Sequence, residues 1–155
     1  VTITKLAILD DVESSLSAIT AGNGYRTTVR TVDREVKVRH EVGLQQMPYV
    51  GFGLTETVSE PPLPGGLIRC VSKMTVLAHV SAASADDATT VLAGLEDDII
   101  AALMGAPTRG GDAIDTLWTR TVEDVPDPAS PTSTGRGSMA MEFEIRWVRS
   151  VDRSA

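Results

Sequence analysis

Apolar and polar residues alternate most cleanly near the end of the chain. From Gly137 to Trp147, Met139, Met141, Phe143, Ile145 and Trp147 share one parity, and Ala140, Glu142, Glu144 and Arg146 share the other. This predicts a strand with one dry face and one wet, charged face. Leu67 to Ser81 reads the same way. Ile68, Cys70, Met74, Val76, Ala78 and Val80 form its apolar face, opposite Arg69, Lys73, Thr75 and His79. Val71 and Leu77 share that second face and predict that it is partly covered. A one-residue slip would bury Arg69 and Lys73, which fixes the register.

Two stretches follow a helical period instead. Leu6, Leu9, Val12, Leu16 and Ile19 form one stripe, predicting a helix from about Thr4 to Ala21 that Gly22-Asn23-Gly24 stops. Ala88, Val91, Leu92, Leu95, Ile99, Ala102 and Leu103 form another. Ser84 caps this second helix, Asp86 and Asp87 suit its positive end, and Gly105 and Pro107 close it. Tyr25 to Val32, Met47 to Leu54 and Ala113 to Val125 read as further strands, the last carrying Ile114, Trp118 and Val122 on one side. Gly51 and Gly53 predict a bulge or a close neighbour, and Glu60 to Gly66 a turn. Asp33 to Gln46 fits either an exposed hairpin or a strand extension. The stretch at about 126–136, rich in Pro, Ser, Thr and Gly, is expected to be a mobile loop or arm. The order is α-β-β-β-α-β-β. It predicts a single α+β domain spanning residues 1–155, with a mixed or antiparallel sheet and two helices packed on one face.

The chain has 155 residues and a net charge of −7. That length supports a core without staples. The acidic balance disfavours wrapping nucleic acid or binding an anionic membrane surface. Nothing resembles a signal peptide at the start, and no apolar run is long enough to span a bilayer. The lone Cys70 cannot form an internal disulfide, and its parity places it among apolar neighbours, which fits an inert thiol in a cytosolic setting.

Catalytic patterns are missing. Gly51-Phe52-Gly53 lacks the third glycine of a dinucleotide fingerprint, and no phosphate loop or nucleophile elbow occurs. His40 and His79 lack the spacing of a metal site, and His79 lies on the opposite face from Cys70. Asp10-Asp11, Asp86-Asp87, Asp97-Asp98 and Glu123-Asp124 are adjacent pairs that do not converge, and they read as solvated faces and a cap. No catalytic, metal or cofactor residue is predicted. Arg26, Arg30, Arg34, Lys37, Arg39 and His40 form a basic concentration, of which Arg26, Arg30, Arg34, Lys37 and Arg39 are the candidate interface. Asp33, Glu35 and Glu41 interrupt it, which favours a salt-bridged exposed ribbon over a nucleic-acid patch.

Three segments in this order and spacing carry a resemblance. They are the opening helix Leu6-Ala7-Ile8-Leu9-Asp10-Asp11-Val12, continuing through Thr20-Ala21-Gly22-Asn23-Gly24-Tyr25; then Met47-Pro48-Tyr49-Val50; then Ser84-Ala85-Asp86-Asp87-Ala88 paired with Gly137-Ser138-Met139-Ala140-Met141. In these the chain resembles bacteriophage tail terminator proteins, a group that includes minor tail and tail completion proteins. The resemblance implies a non-enzymatic virion subunit without cofactors. Such subunits assemble in the bacterial host cytoplasm into a ring, commonly a hexamer, that caps the head-proximal end of the tail tube. The implied partners are further copies of the chain, the tail tube protein, and a neck or head-completion protein. DNA would pass through the lumen without specific binding. The charged stretch Arg34 to Glu41 departs from the family pattern. The alternatives left open are another neck or head-closure protein, a small oligomeric binding domain, or an enzyme subunit.

Overall fold

The computed structural model describes residues 4–61, 64–105, 108, 113, 115–124 and 135–150. The first helix, α1 (Lys5–Ser17), starts at Thr4, whose side chain accepts a hydrogen bond from the Ala7 amide. It buries Ile8, Val12 and Leu16. Three strands follow, β1 (Thr31–Asp33), β2 (Tyr49–Ser59) and β3 (Leu67–Ser81), then α2 (Ala85–Met104), β4 (Asp115–Asp124) and β5 (Arg136–Ser150). This is the expected α-β-β-β-α-β-β order. The strands form one mixed sheet in the order β1-β2-β3-β5-β4, with β1 parallel to β2 and every other pair antiparallel.

Both helices lie on the dry face. There α2 packs against β3, β4 and β5, and α1 packs against α2 and β1. The core between the layers is aliphatic with a few large rings, among them Phe52, Phe143 and Trp147. Every residue assigned to the dry face of the last strand is buried, as is Cys70. Polar groups enter this core as well, Ser72 among them. The Ser72 hydroxyl accepts a hydrogen bond from the Trp147 indole N–H (3.0 Å) and pairs with the Thr57 hydroxyl (2.9 Å).

The structure corrects four local expectations. The first helix ends at Ser17, because Thr20 caps a separate 3-10 turn, Ala21–Asn23. Gly22-Asn23-Gly24 closes that turn instead of the helix, with Gly24 at φ +88°. The strand expected over Tyr25 to Val32 shrinks to Thr31–Asp33. Its earlier amides find other partners: Arg26 and Thr27 bond to Asp98, and Val29 bonds to the Ile19 carbonyl. The stretch Asp33 to Gln46 forms neither hairpin nor strand extension beyond β1, and instead contains two 3-10 turns, Arg39–Glu41 and Leu44–Gln46. Trp118 and Val122 lie on opposite faces of the sheet. The register shifts between Trp118 and Arg120, so Trp118 pairs with the dry-face Phe143 and Val122 with the wet-face Ala140. Ile114, Val125 and residues 126–134 of the expected arm lie outside the described residues, while Arg136 already belongs to β5.

Candidate interaction surface

Among the described residues, neither α-helix lies on the second face of the sheet. At one end, residues 33–42 cross it as a strap, and backbone carbonyls do most of the fastening. The Tyr49 hydroxyl donates to the Glu35 carbonyl (2.8 Å), and the His79 Nε2–H donates to the Lys37 carbonyl (2.6 Å). A carbonyl only accepts, so Nε2 carries the proton and Nδ1 accepts from the Ser138 hydroxyl (2.8 Å). The Tyr49 and His79 rings stack with centroids 5.7 Å apart, and Tyr49 forms a small satellite cluster with Val42 and Met47. Gly51 lies so close to the strap that a Cβ there would sit 2.4 Å from the Glu35 carbonyl oxygen. This meets the expectation of a close neighbour at Gly51, while the bulge in β2 falls further on, between Leu54 and Glu56.

Gly51→Ala is therefore expected to lift the strap and to cost about 1–3 kcal/mol of stability. Hydrogen exchange checks this: amides of 33–42 should lose protection while those of β5 keep it. Equal protection in variant and wild type would refute the contact.

Burial pushes the His79 imidazole below the ordinary histidine value of 6.5; the Lys37 carbonyl opposes this shift and Arg39 adds to it. The unfolded chain then takes up a proton at a pH where the folded chain does not. The contribution of His79 to stability is complete above the ordinary value and is lost as pH falls from there through the folded value. Thermal melts of wild type and His79→Gln should converge in slope above about pH 7 and diverge below it, with wild type falling faster. Parallel curves would remove His79 as the cause. Tyr49 moves the other way, pushed up to about 12 by burial and by Asp33, Glu35 and Glu41.

Away from the strap the face is bare and its charges alternate across strands. Glu56 pairs with Lys73 (3.5 Å), and Arg120 with Glu142 (3.0 Å). Lys73 stands opposite Glu144 in the β3–β5 register. A hollow of about 200 Å³ lies between the two bulges, bordered by Thr55 and Thr119. A groove of about 290 Å³ runs beside the strap over Val38, Leu77, Val122 and Ala140.

The predicted basic interface does not converge here. Arg26 reaches Asp97 (3.2 Å) on α2, and Arg30 donates to the Gln45 carbonyl (3.0 Å). Arg34 clamps Asp10 and Glu13 on α1, and those carboxylates raise its pKa further. Lys37 pairs with Asp33 (3.4 Å), and Arg39 reaches the Arg136 carbonyl (3.4 Å). Arg26, Arg34 and Lys37 are salt-bridged, whereas Arg30 and Arg39 bond to carbonyls, and the stretch is divided between the helical layer and the strap.

Asp98 was expected on a solvated face and is buried instead. Its carboxylate accepts from the Arg26 amide (3.1 Å), the Thr27 amide (2.8 Å) and the Thr27 hydroxyl (2.5 Å). The clue was its spacing. Asp98 lies three residues after Leu95 and four before Ala102, on the edge of the buried stripe. The His79–Ser138 contact was harder to foresee. Parity placed His79 on the second face, but only pairing across β3 and β5 brings Ser138 to it.

Among the described residues no group of three or more His, Cys, Asp or Glu side chains is arranged to hold a metal. Likewise no helix there is long and apolar enough to cross a membrane.

No family model matches the chain. No curated protein matches it either. Among solved structures, the chain is similar to one chain of a structure described as the virion of a native gene transfer agent particle. The identity is 15%, the coverage 92% of each chain and the TM-score 0.56. The two share a fold across nearly their whole length.

Proposed function

We propose that the chain is a structural, non-enzymatic virion protein that forms a ring on the head-proximal end of a phage tail tube, ends tube polymerisation and offers the neck a docking surface. The fold shared with a chain of the gene transfer agent virion, over 92% of both chains, carries this proposal. The architecture is suited to the task. A ring subunit must meet its neighbours through two different surfaces related by a rotation that closes. This sheet has two different outer strands and, among the described residues, one face that neither α-helix covers. The sequence segments that resemble tail terminators fall on α1, on the start of β2, and on α2 with β5.

The test is capping. Purified chain is mixed with purified tail tubes, and tube ends are imaged while native mass spectrometry follows the free chain. Six copies of the 16.4 kDa chain give a species of roughly 98 kDa, and density at one tube end is the expected result. Tubes that keep growing and bare ends at every concentration would overturn the proposal.

A further inference from the structure

Two of the strand edges left unpaired among the described residues lie on opposite sides of the sheet. One is the outer side of β4. The other is the outer side of β2 from Phe52 onward, since β1 covers only Tyr49 to Gly51. Such edges present backbone groups ready to bind another strand. We propose that β4 of one copy joins β2 of the next in antiparallel pairing, with Arg120 opposite Glu56, so that the sheet runs on from copy to copy. This rests on the ring proposal and names its contact.

Strand direction supplies the first argument. Going from β2 to β3 to β5 to β4, each step reverses direction, so β2 and β4 run oppositely within one chain. Copies set side by side the same way up therefore bring β4 to β2 antiparallel, as cyclic symmetry requires.

Charge supplies the second. Within one copy Glu142 pairs with Arg120, and within the next Glu56 pairs with Lys73. Placing Arg120 against Glu56 continues that row across the boundary with alternating sign. Both side chains are more than half exposed in the single chain, so each can add a partner across the boundary to the one it already has. Two-fold pairings lack this complementarity. β2 against itself about Glu56 opposes two carboxylates, and β4 against itself about Arg120 opposes two guanidinium groups.

Shape supplies the third. The two strands carry their register shifts beside these residues, between Leu54 and Glu56 in β2 and between Trp118 and Arg120 in β4. With the extra residues aligned, faces match on both sides of the shift. Leu117 falls opposite the exposed Val58 on one side. On the other, the exposed Val122 falls over Gly53, where the strap's Val36 already lies. The pairing ends where β1 begins.

Leu117→Cys with Val58→Cys in one chain tests the register under mild oxidation. The expected result is a ladder of covalent oligomers that ends at the ring size, with each single variant staying monomeric on a denaturing gel. Arg120→Glu and Glu56→Arg, each shown to fold by circular dichroism, should each reduce the assembled fraction on the order of tenfold or more. Assembly undisturbed by either reversal, or rings that yield no ladder, would overturn the edge pairing. A chain that still caps tubes under those outcomes leaves the ring proposal standing, whereas one that neither assembles nor caps overturns both.

Discussion

Asp98→Ala is expected to lower the free energy of unfolding by about 3 kcal/mol. The carboxylate sits on α2 and accepts from two consecutive amides, Arg26 and Thr27, and from the Thr27 hydroxyl. Removing it strips three donors at once, and an alanine offers nothing in return. Hydrogen bonds to a charged acceptor contribute more than neutral ones, and buried donors left unmade cost their full desolvation. Partial exposure of the 25–28 turn lets water recover some of this, which keeps the loss below the sum of three such bonds. Asp98→Asn should fall between. Its carbonyl oxygen can accept from Thr27, but its NH₂ then faces the Arg26 amide, donor against donor. Urea unfolding of the three chains decides the point. An Asn variant as stable as wild type would show that shape, not the second acceptor oxygen, holds the turn. An alanine variant within about 0.5 kcal/mol of wild type would remove the staple from the account.

That turn also explains what the sequence concealed. Thr27, Thr28, Val29 and Thr31 have strand-like composition, yet a strand is defined by where its amides bond, and here most bond elsewhere. The partner that diverts Arg26 and Thr27 lies more than seventy residues away in sequence, beyond any local pattern. β3 and β5 were legible end to end because apolar and polar residues alternate along most of their length, so parity alone fixes them even where the strap covers His79 and Ser138. α2 was legible from its stripe and its Ser84 cap, whose hydroxyl accepts from the Asp87 amide as expected. β4 was legible as a strand, but its faces were not, since one bulged residue reverses parity and leaves no mark in composition. The strap was the least legible part. It is fastened largely by its own carbonyls to Tyr49 and His79, and every residue owns a carbonyl, so no residue type announces the contact. The candidate surface divides the same way. The wet-face charges could be read from parity, but their arrangement into rows needed the register, and the free edges needed the strand order.

The core sets the largest expected loss. Trp147→Ala should cost about 3–5 kcal/mol. Trp147 is fully buried near the end of β5, opposite Cys70 in the register. Truncating it removes the transfer free energy of a large ring and leaves a cavity that β3, paired with β5 as far as Ser150, collapses into only in part. It also takes the indole donor from Ser72, whose hydroxyl keeps Thr57 as its partner, so the polar loss is one hydrogen bond and not an orphaned group. Trp147→Phe separates the two contributions. The ring is largely retained and only the N–H is lost, so the expected cost falls to about 1–2 kcal/mol. Ser72→Ala should cost a comparable amount by leaving the indole N–H buried without an acceptor. A double variant, Trp147→Phe with Ser72→Ala, should then cost less than the two singles combined, because neither partner remains to be left unmet. Strict additivity in that cycle would mean the indole and the hydroxyl do not interact. A Trp147→Ala chain that melts with wild type would place the tryptophan outside the core that joins sheet and helices.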